Sequence, residues 1–313
     1  MNRRLLFGRV GQALLVLWAA FTASFLLLQA LPGDAILIKF LDADLGLSPE
    51  QLADIRASYG ADQPLWAQYG RTLANFLTGD FGYSVQAGVP VSHNLATSLP
   101  PTLRLAGLGF AVALLLALGL AFLSQQGRFA WLRSAFAALP SLFVSVPVFW
   151  LGIMLIQVFS FRLGWIPVIA PGRWEGLVLP VLTLAVPISA PLAQVFMRNI
   201  DQVLTQPFVA VARAKGLGRN AVLWRHVARN AVLPVLTIAG VLFGELLAGA
   251  VVTEAVFGLG GLGSLTQQAV NNQDTAVLQA IVVISATSFV LISLAVDLLH
   301  PLLDPRLRSR PGA

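Results

Sequence analysis

The chain has 313 residues, 57% of them hydrophobic and only 11% charged. A soluble domain carries about a quarter charged residues, so the mean hydropathy of +0.79 excludes an ordinary soluble protein and indicates a polytopic membrane protein. There is no cysteine, which excludes disulfides, thiolate metal sites and cysteine nucleophiles.

A helix crosses a bilayer with roughly 20 mostly apolar residues, and six runs meet that length. The first lies between Arg9 and Asp34. Arg3, Arg4 and Arg9 precede it as they would a signal sequence, but the run exceeds the about 7–15 residues of a signal core, so a retained helix is expected. The segment 32–97 that follows is the one sizeable extramembrane region. In it Ser48-Pro49-Glu50 is a helix-start signal, and Trp66, Tyr69, Leu73, Phe76 and Leu77 recur at helical spacing. A short helix resting on the membrane surface and a docking surface for an external partner both fit that spacing. Phe81–Leu103 has no Asp, Glu, Lys or Arg, but its Gly, Pro, Ser, Asn and Gln content predicts a loop.

The remaining runs are Leu105–Gly127, Ser134–Phe161, Gly176–Met197, Asn230–Thr253 and Thr275–Val296. Glu245 is the single acid deep in a run. It is expected to line a water-filled path, or to make a structural hydrogen bond in protonated form. Gly240, Gly244 and Ala248 form a small-residue stripe that suits close helix packing, within the chain or against a partner. Pro140, Pro147, Pro180, Pro187 and Pro191 interrupt backbone hydrogen bonding inside the runs and suit bent helices around a cavity.

Six helices place both termini on one side. With that side cytoplasmic, the inner segments hold 14 of the 20 Lys and Arg residues, as the positive-inside rule requires. The basic residues behind the net charge of +6 are then spread mostly over four separate inner segments, without the dense basic face of a nucleic-acid binder. Gly258-Leu-Gly260-Gly-Leu-Gly263 has the letters of a dinucleotide fingerprint but follows a membrane helix rather than a buried strand, so it reads as a turn. No HExxH or GxSxG motif occurs, and His93, His226 and His300 lack metal-ligand spacing; no catalytic residue and no metal site is expected.

The inner loop 198–230 is the most informative segment. Phe208–Ala214 (FVAVARA) predicts a short, mostly apolar helix, and Gly216 falls where it would end. A second helix is expected to start near Asn220 as cap and to enter the membrane, with Arg225 and Arg229 on one face and Val222, Leu223 and Val227 elsewhere. Such a loop could lie on anionic lipid or fill a groove on a partner protein.

ARAKGLGRNAVLWRHVARNAVLPV resembles the cytoplasmic loop of ABC importer permeases of the dipeptide/oligopeptide/nickel branch. Ala210-Val211-Ala212 stands at the position of that loop's EAA triplet, Gly216 at its glycine and Leu233-Pro234 at its Leu-Pro. Ala61-Asp-Gln-Pro-Leu-Trp66, Gly79-Asp-Phe-Gly-Tyr-Ser84, Pro100-Pro-Thr-Leu103, Ser145-Val-Pro-Val-Phe-Trp150, Val296-Asp-Leu-Leu299 and Leu303-Asp-Pro-Arg306 are similar to further family motifs in the same order. Gly260 stands where the family commonly has proline, and Asp274-Thr-Ala276 where it has Asp-Tyr-Pro.

The resemblance implies an all-α, MetI-like permease fold of six transmembrane helices, with an extra N-terminal helix and an external insertion. It divides the chain into residues 1–31, an external segment 32–97, a permease core 98–306 and a cytoplasmic tail 307–313. It implies an ATP-driven, binding-protein-dependent importer of peptides or related solutes, with nickel and metal–opine complexes also admitted, in a bacterial inner membrane. The partners implied are a second homologous permease as a heterodimer, two cytoplasmic ATP-binding subunits, an extracytoplasmic solute-binding protein and membrane lipid. No cofactor is expected on this chain, which has no GxxxxGK[ST] phosphate loop; ATP and Mg would sit in the partner subunits. Phe208, Val211, Ala212, Ala214, Lys215, Gly216 and Leu217 are the residues expected to couple to an ATPase, and Ala212→Arg is expected to clash with its groove. The alternative is an ion-coupled secondary transporter, which also uses broken helices and midplane acids.

Overall fold

The computed structural model describes residues 3–29, 63–126, 129–169, 172 and 174–303. The helix start at Ser48-Pro49-Glu50 and the tail beyond Leu303 lie outside them. The described residues are almost entirely helical: α1 (Arg3–Gln29), α2 (Leu65–Leu77), α3 (Val91–Gln126), α4 (Ala130–Ser145), α5 (Val148–Leu155), α6 (Glu175–Leu204), α7 (Pro207–Ala214), α8 (Arg219–Val222), α9 (Arg229–Phe257), α10 (Leu262–Asn271) and α11 (Thr275–Leu303). Five of these are long and apolar enough to cross a membrane, and a bent pair makes a sixth if counted as one span.

That pair occupies the single run expected as one span over Ser134–Phe161, and the bend expected of its prolines is a full break. α4 and α5, the latter extended by a π-helical stretch Ile156–Arg162, meet at 104°. The break is at Val146-Pro147, where Val146 is extended (φ −94, ψ 120). Proline has no N–H to donate and its ring disfavours the helical conformation of the preceding residue. A second departure concerns Phe81–Leu103, expected as loop. The loop ends at Pro90, and α3 starts at Val91. Its 36 residues reach about 54 Å at roughly 1.5 Å per residue, well beyond a hydrocarbon core of about 30 Å. The polar residues that suggested a loop are therefore the helical extension preceding the span.

Two compact units divide the chain. The first comprises residues 1–102 and 259–290. Its core gathers Val91, Leu95, Leu262, Ala269, Val277, Leu278, Ala280 and Ile281, with Phe76 and Phe81 packed on it. Asp274, 2% exposed, ties this unit together. It precedes α11, and its Oδ1 accepts the Val277 N–H at 3.4 Å, as a helix cap does. Its Oδ2 accepts the Ser84 hydroxyl at 2.5 Å and the Gln86 N–H at 3.4 Å. Ser84 Oγ in turn accepts the Ala87 N–H at 2.9 Å, and Tyr83 and Pro90 form an isolated antiparallel bridge. Two motifs 190 residues apart in the chain thus meet at one carboxylate. The Thr102 hydroxyl accepts the first N–H of α10, that of Leu262, at 2.8 Å, and so satisfies one of the amides that a helix start leaves open.

The second unit comprises residues 103–258 and 291–313. α6 is its centre, packed against α4, α5 and α9. Close approach depends on glycine: a Cβ at Gly109 would lie 3.2 Å from Leu184 Cβ, and one at Gly152 3.2–3.3 Å from Val256, Phe257 and Thr183. Buried hydroxyls bond back to their own helix, Thr183 to the Leu179 carbonyl at 2.8 Å and Ser189 to that of Val186 at 2.7 Å, so none is left open in an apolar interior.

Removing the Asp274 carboxylate deletes a cap and leaves the Ser84 and Gln86 donors unpaired. Asp274→Ala should cost about 2–4 kcal/mol and Ser84→Ala about 1 kcal/mol. Limited proteolysis of the Tyr83–Pro90 loop should show the same order, with Asp274→Ala cut fastest.

Candidate functional site

The loop between α6 and α9 carries the candidate site. α6 ends at Thr205, and Gln206 precedes α7, whose first residue is Pro207. Proline is pre-organised at that position and gives up no hydrogen bond there. The helix closes on a Schellman motif: the Gly216 N–H donates to the Arg213 carbonyl at 2.9 Å and the Leu217 N–H to that of Ala212 at 3.3 Å. Gly216 has φ +82, the conformation in which a Cβ is unfavourable. The expected stop is therefore at Gly216.

α7 has two distinct faces. Val209 (1% exposed) and Ala212 (7%) are buried within the chain. Phe208 (40%) and Val211 (54%) point outward, with Ala210, Ala214, Lys215 and Gly216 also exposed and Leu217 half-buried. Phe208 and Val211 thus give α7 an apolar outer side within a charged loop. Ala212 lies on the other side, so Ala212→Arg would disrupt the chain's own packing before it reached any groove. Val211 is the residue that reports on the outer face.

The next helix also departs from expectation. Its N-cap is Gly218 rather than Asn220, and a π-helical stretch Leu223–Ala228 joins α8 to α9. Val222, Leu223 and Val227 are buried while Trp224, Arg225 and Arg229 are exposed, the division of faces that the sequence suggested. Asn220 has another role: its Oδ1 accepts from Gln126 Nε2 at 2.7 Å. Gln125 Nε2 donates to Asp201 Oδ1 at 2.8 Å, and Arg219 Nη2 donates to the Gln125 carbonyl at 2.7 Å. Trp224 packs on Phe122 with ring centroids 5.0 Å apart. Both ends of the loop are therefore fastened to the end of α3, and α7 is held between them on fixed supports. Sequence reading missed this clamp, because Gln126 and Asn220 are 94 positions apart and neither carries a recognisable spacing.

On α9, Val241, Glu245, Ala248 and Val252 are all exposed and recur at helical spacing. Gly240 is buried and Gly244 half-buried, so the small-residue stripe turns from the interior at Gly240 to the outer face at Ala248. The acid that α9 does bury is Glu254, 1% exposed. The span containing it runs Pro234–Phe257, past the Thr253 at which the apolar run was expected to stop. The signal was present in Ala255-Val256-Phe257 and the left-handed Gly258 (φ 63) that ends the helix, since both continue the span beyond Glu254. Gly258 and the N-cap Gly261 of α10 make the glycine-rich segment a turn between helices. Among the described residues no group of three or more His, Cys, Asp or Glu could hold a metal ion.

Residues 109–309 match the family model of the binding-protein-dependent transport system inner membrane component. The chain belongs to that family. The permease is 37% identical over 317 residues to a candidate peptide transport system permease of Brucella melitensis, covering 98% of this chain and 99% of the relative. It is 36% identical over 287 residues to the glutathione transport system permease GsiC of Salmonella paratyphi A, covering 91% and 92%. In fold it is similar to an inward-facing MetNI methionine ABC transporter (TM-score 0.57, 18% identity, 67% of this chain and 96% of that chain) and to an amino acid ABC transporter (TM-score 0.55, 18% identity, 67% and 94%). It is a multi-pass permease subunit of an ABC importer, not an enzyme in itself, and works with ATPase and binding-protein partners.

Two substitutions separate the faces and the stop of α7. Val211→Arg, on the outer face, should change the stability of the purified permease by less than about 0.5 kcal/mol. Gly216→Val should cost about 1–2 kcal/mol by forcing a branched side chain to φ +82. Thermal melting in detergent distinguishes the two.

Proposed function

We propose that this permease forms half of the translocation path of an importer for peptides or glutathione-like solutes, paired with a second, homologous permease as a heterodimer. The substrate class rests on the named activities of the peptide and glutathione relatives. Nickel and metal–opine complexes have no support from those relatives. ATP and Mg are held by the two partner ATPases, and this chain supplies no cofactor site. Both termini and the loop carrying α7 face the cytoplasm, because the inner segments then collect most of the Lys and Arg residues.

The observation that carries the reading is the apolar outer face of α7, Phe208 and Val211, on a helix whose ends are clamped to a span. A helix supported in this way moves with the bundle. When the ATPases close on ATP, a groove gripping that face would carry the helix along and rock the permease between inward- and outward-facing states. Lys215, Ala214, Gly216 and Leu217 shape the end of the contact, while Ala212 supports it from beneath. The exposed Val241–Glu245–Ala248–Val252 face of α9 is the surface assigned to the second permease and the path between the two. There Glu245 meets water or solute rather than acyl chains.

Val211→Arg tests the coupling. Placing a charge in the centre of an interface costs about 2 kcal/mol or more of docking energy, so uptake and binding-protein-stimulated ATPase should both fall about tenfold or more. Unchanged activity of a correctly folded Val211→Arg importer would overturn the assignment. Glu245→Gln should alter the KM or maximal rate of uptake without changing the amount of permease in the membrane. Kinetics identical to the native chain would remove Glu245 from the path.

A further inference from the structure

Helix α2 exposes an apolar and small-residue face. Trp66, Gly70, Ala74 and Leu77 follow at helical spacing and are all exposed, Trp66 at 79% and Leu77 at 81%. Arg71 is the one charged residue of the helix. Gln68 and Tyr69 turn toward the chain, beside the apolar Phe76. The Tyr69 hydroxyl shares a hydrogen bond with that of Thr22 at 2.8 Å. Gln68 Oε1 accepts from Gln29 Nε2 at 3.1 Å, and its Nε2 donates to the Gln63 carbonyl at 2.7 Å. A helix bounded by water keeps its apolar stripe inside and its polar residues outside. The outer face of α2 is therefore made for an apolar medium.

The contacts of α2 with α1 fix its depth. Tyr69 stacks edge-on against Phe21 and Phe25 with centroids 5.6 and 5.4 Å away, and Phe76 against Phe21 at 5.3 Å. The apolar span of α1 is Gly8–Gln29, so Phe21 lies about 12 Å inward from its Gln29 end at roughly 1.5 Å per residue. That is most of one leaflet of a hydrocarbon core about 30 Å thick. α1 itself exposes Leu14, Leu15, Trp18, Leu26 and Leu27, the kind of surface a membrane span turns to lipid.

We infer that α2 is a membrane-inserted helix lying in the leaflet at the Gln29 end of the first span, with Trp66, Ala74 and Leu77 against lipid acyl chains. Arg71 reaches the headgroups along its aliphatic stem, and Trp66 sits at the interface where its ring is favoured. Through Phe76, whose ring meets Phe81 at 5.1 Å, the inserted helix holds the Tyr83–Pro90 loop at the membrane surface. Residues 63–90 are thus anchored to the bilayer by lipid contact.

The chain is naturally free of cysteine, so single-cysteine variants can be spin-labelled directly. Trp66→Cys and Ala74→Cys in the full chain, reconstituted in liposomes, are compared with Gln86→Cys in the polar loop by collision with oxygen and with a water-soluble nickel chelate. The expected result is oxygen accessibility several-fold above chelate accessibility at positions 66 and 74, and the reverse at 86. Chelate-dominated collision at 66 and 74 would show an aqueous face and overturn the inference. Low accessibility to both reagents would overturn it too, because a protein surface then covers the helix. Ala74→Cys is a small-for-small change, so the result does not depend on tolerance of the Trp66 substitution.

Discussion

Hydrocarbon offers no hydrogen-bond partner, so each backbone amide and carbonyl that enters the bilayer must be satisfied by the chain itself. That constraint produces the long helices, and it decides how each is allowed to stop. A helix end leaves four donors or four acceptors open. The Thr102 hydroxyl takes up one at Leu262, the Asp274 carboxylate one at Val277, and the amides of Gly216 and Leu217 take up carbonyls at the end of α7. The chain turns in space where a local group can close a helix. The motifs that were legible as letters, Gly79–Ser84, Asp274 and Gly216, are those closures or the groups fastened to them.

The same constraint explains why a contact surface can be built from eight residues. A helix that short is marginal when isolated in water, where about 12–15 residues are needed. Here Pro207 fixes its entry and Gly216 fixes its exit. Val209 and Ala212 bury one side, and the Gln125–Asp201 and Gln126–Asn220 bonds hold the flanking helices. A partner that grips Phe208 and Val211 pulls on supports that continue into the spans, which is what mechanical coupling requires.

Periodicity and end signals made the spans and α7 legible before any coordinates, because each depends on residues close together in the chain. That the prolines suit bent helices was legible too, but not that the break falls at Pro147 rather than at Pro187, and residue type shows why. Val146-Pro147 breaks a helix while Val186-Pro187 remains within α6, as do Pro180 and Pro191. The dipeptides are identical; the surroundings differ. α6 is packed by α4, α5 and α9 together, and tertiary contact holds it helical against the local preference. The polar clamp and the Asp274–Ser84 bond were illegible for the same reason, since their partners lie far apart in sequence. The extension of α3 back to Val91 shows the converse error, in which local composition suggested a loop and packing against Leu262 and Val277 made a helix.

The two acids of α9 show how far composition can carry a functional reading. Glu245 interrupts an apolar run and so invited attention, while Glu254 stood at its margin; in space it is Glu254 that is enclosed at 1% exposure and Glu245 that looks outward. An ionised side chain facing acyl chains at mid-span costs about 2.5–3.5 kcal/mol or more, and Val241, Ala248 and Val252 beside it offer it no hydrogen bond. A face carrying Glu245 is therefore poorly suited to lipid, whereas the faces of α1 and α2 that expose Leu14, Leu15, Trp18, Leu26, Leu27, Trp66 and Leu77 are well suited to it. By that criterion the Glu245 face of α9 calls for a polar neighbour, which is the physical reason for the proposal that it meets the second permease and a water-filled path.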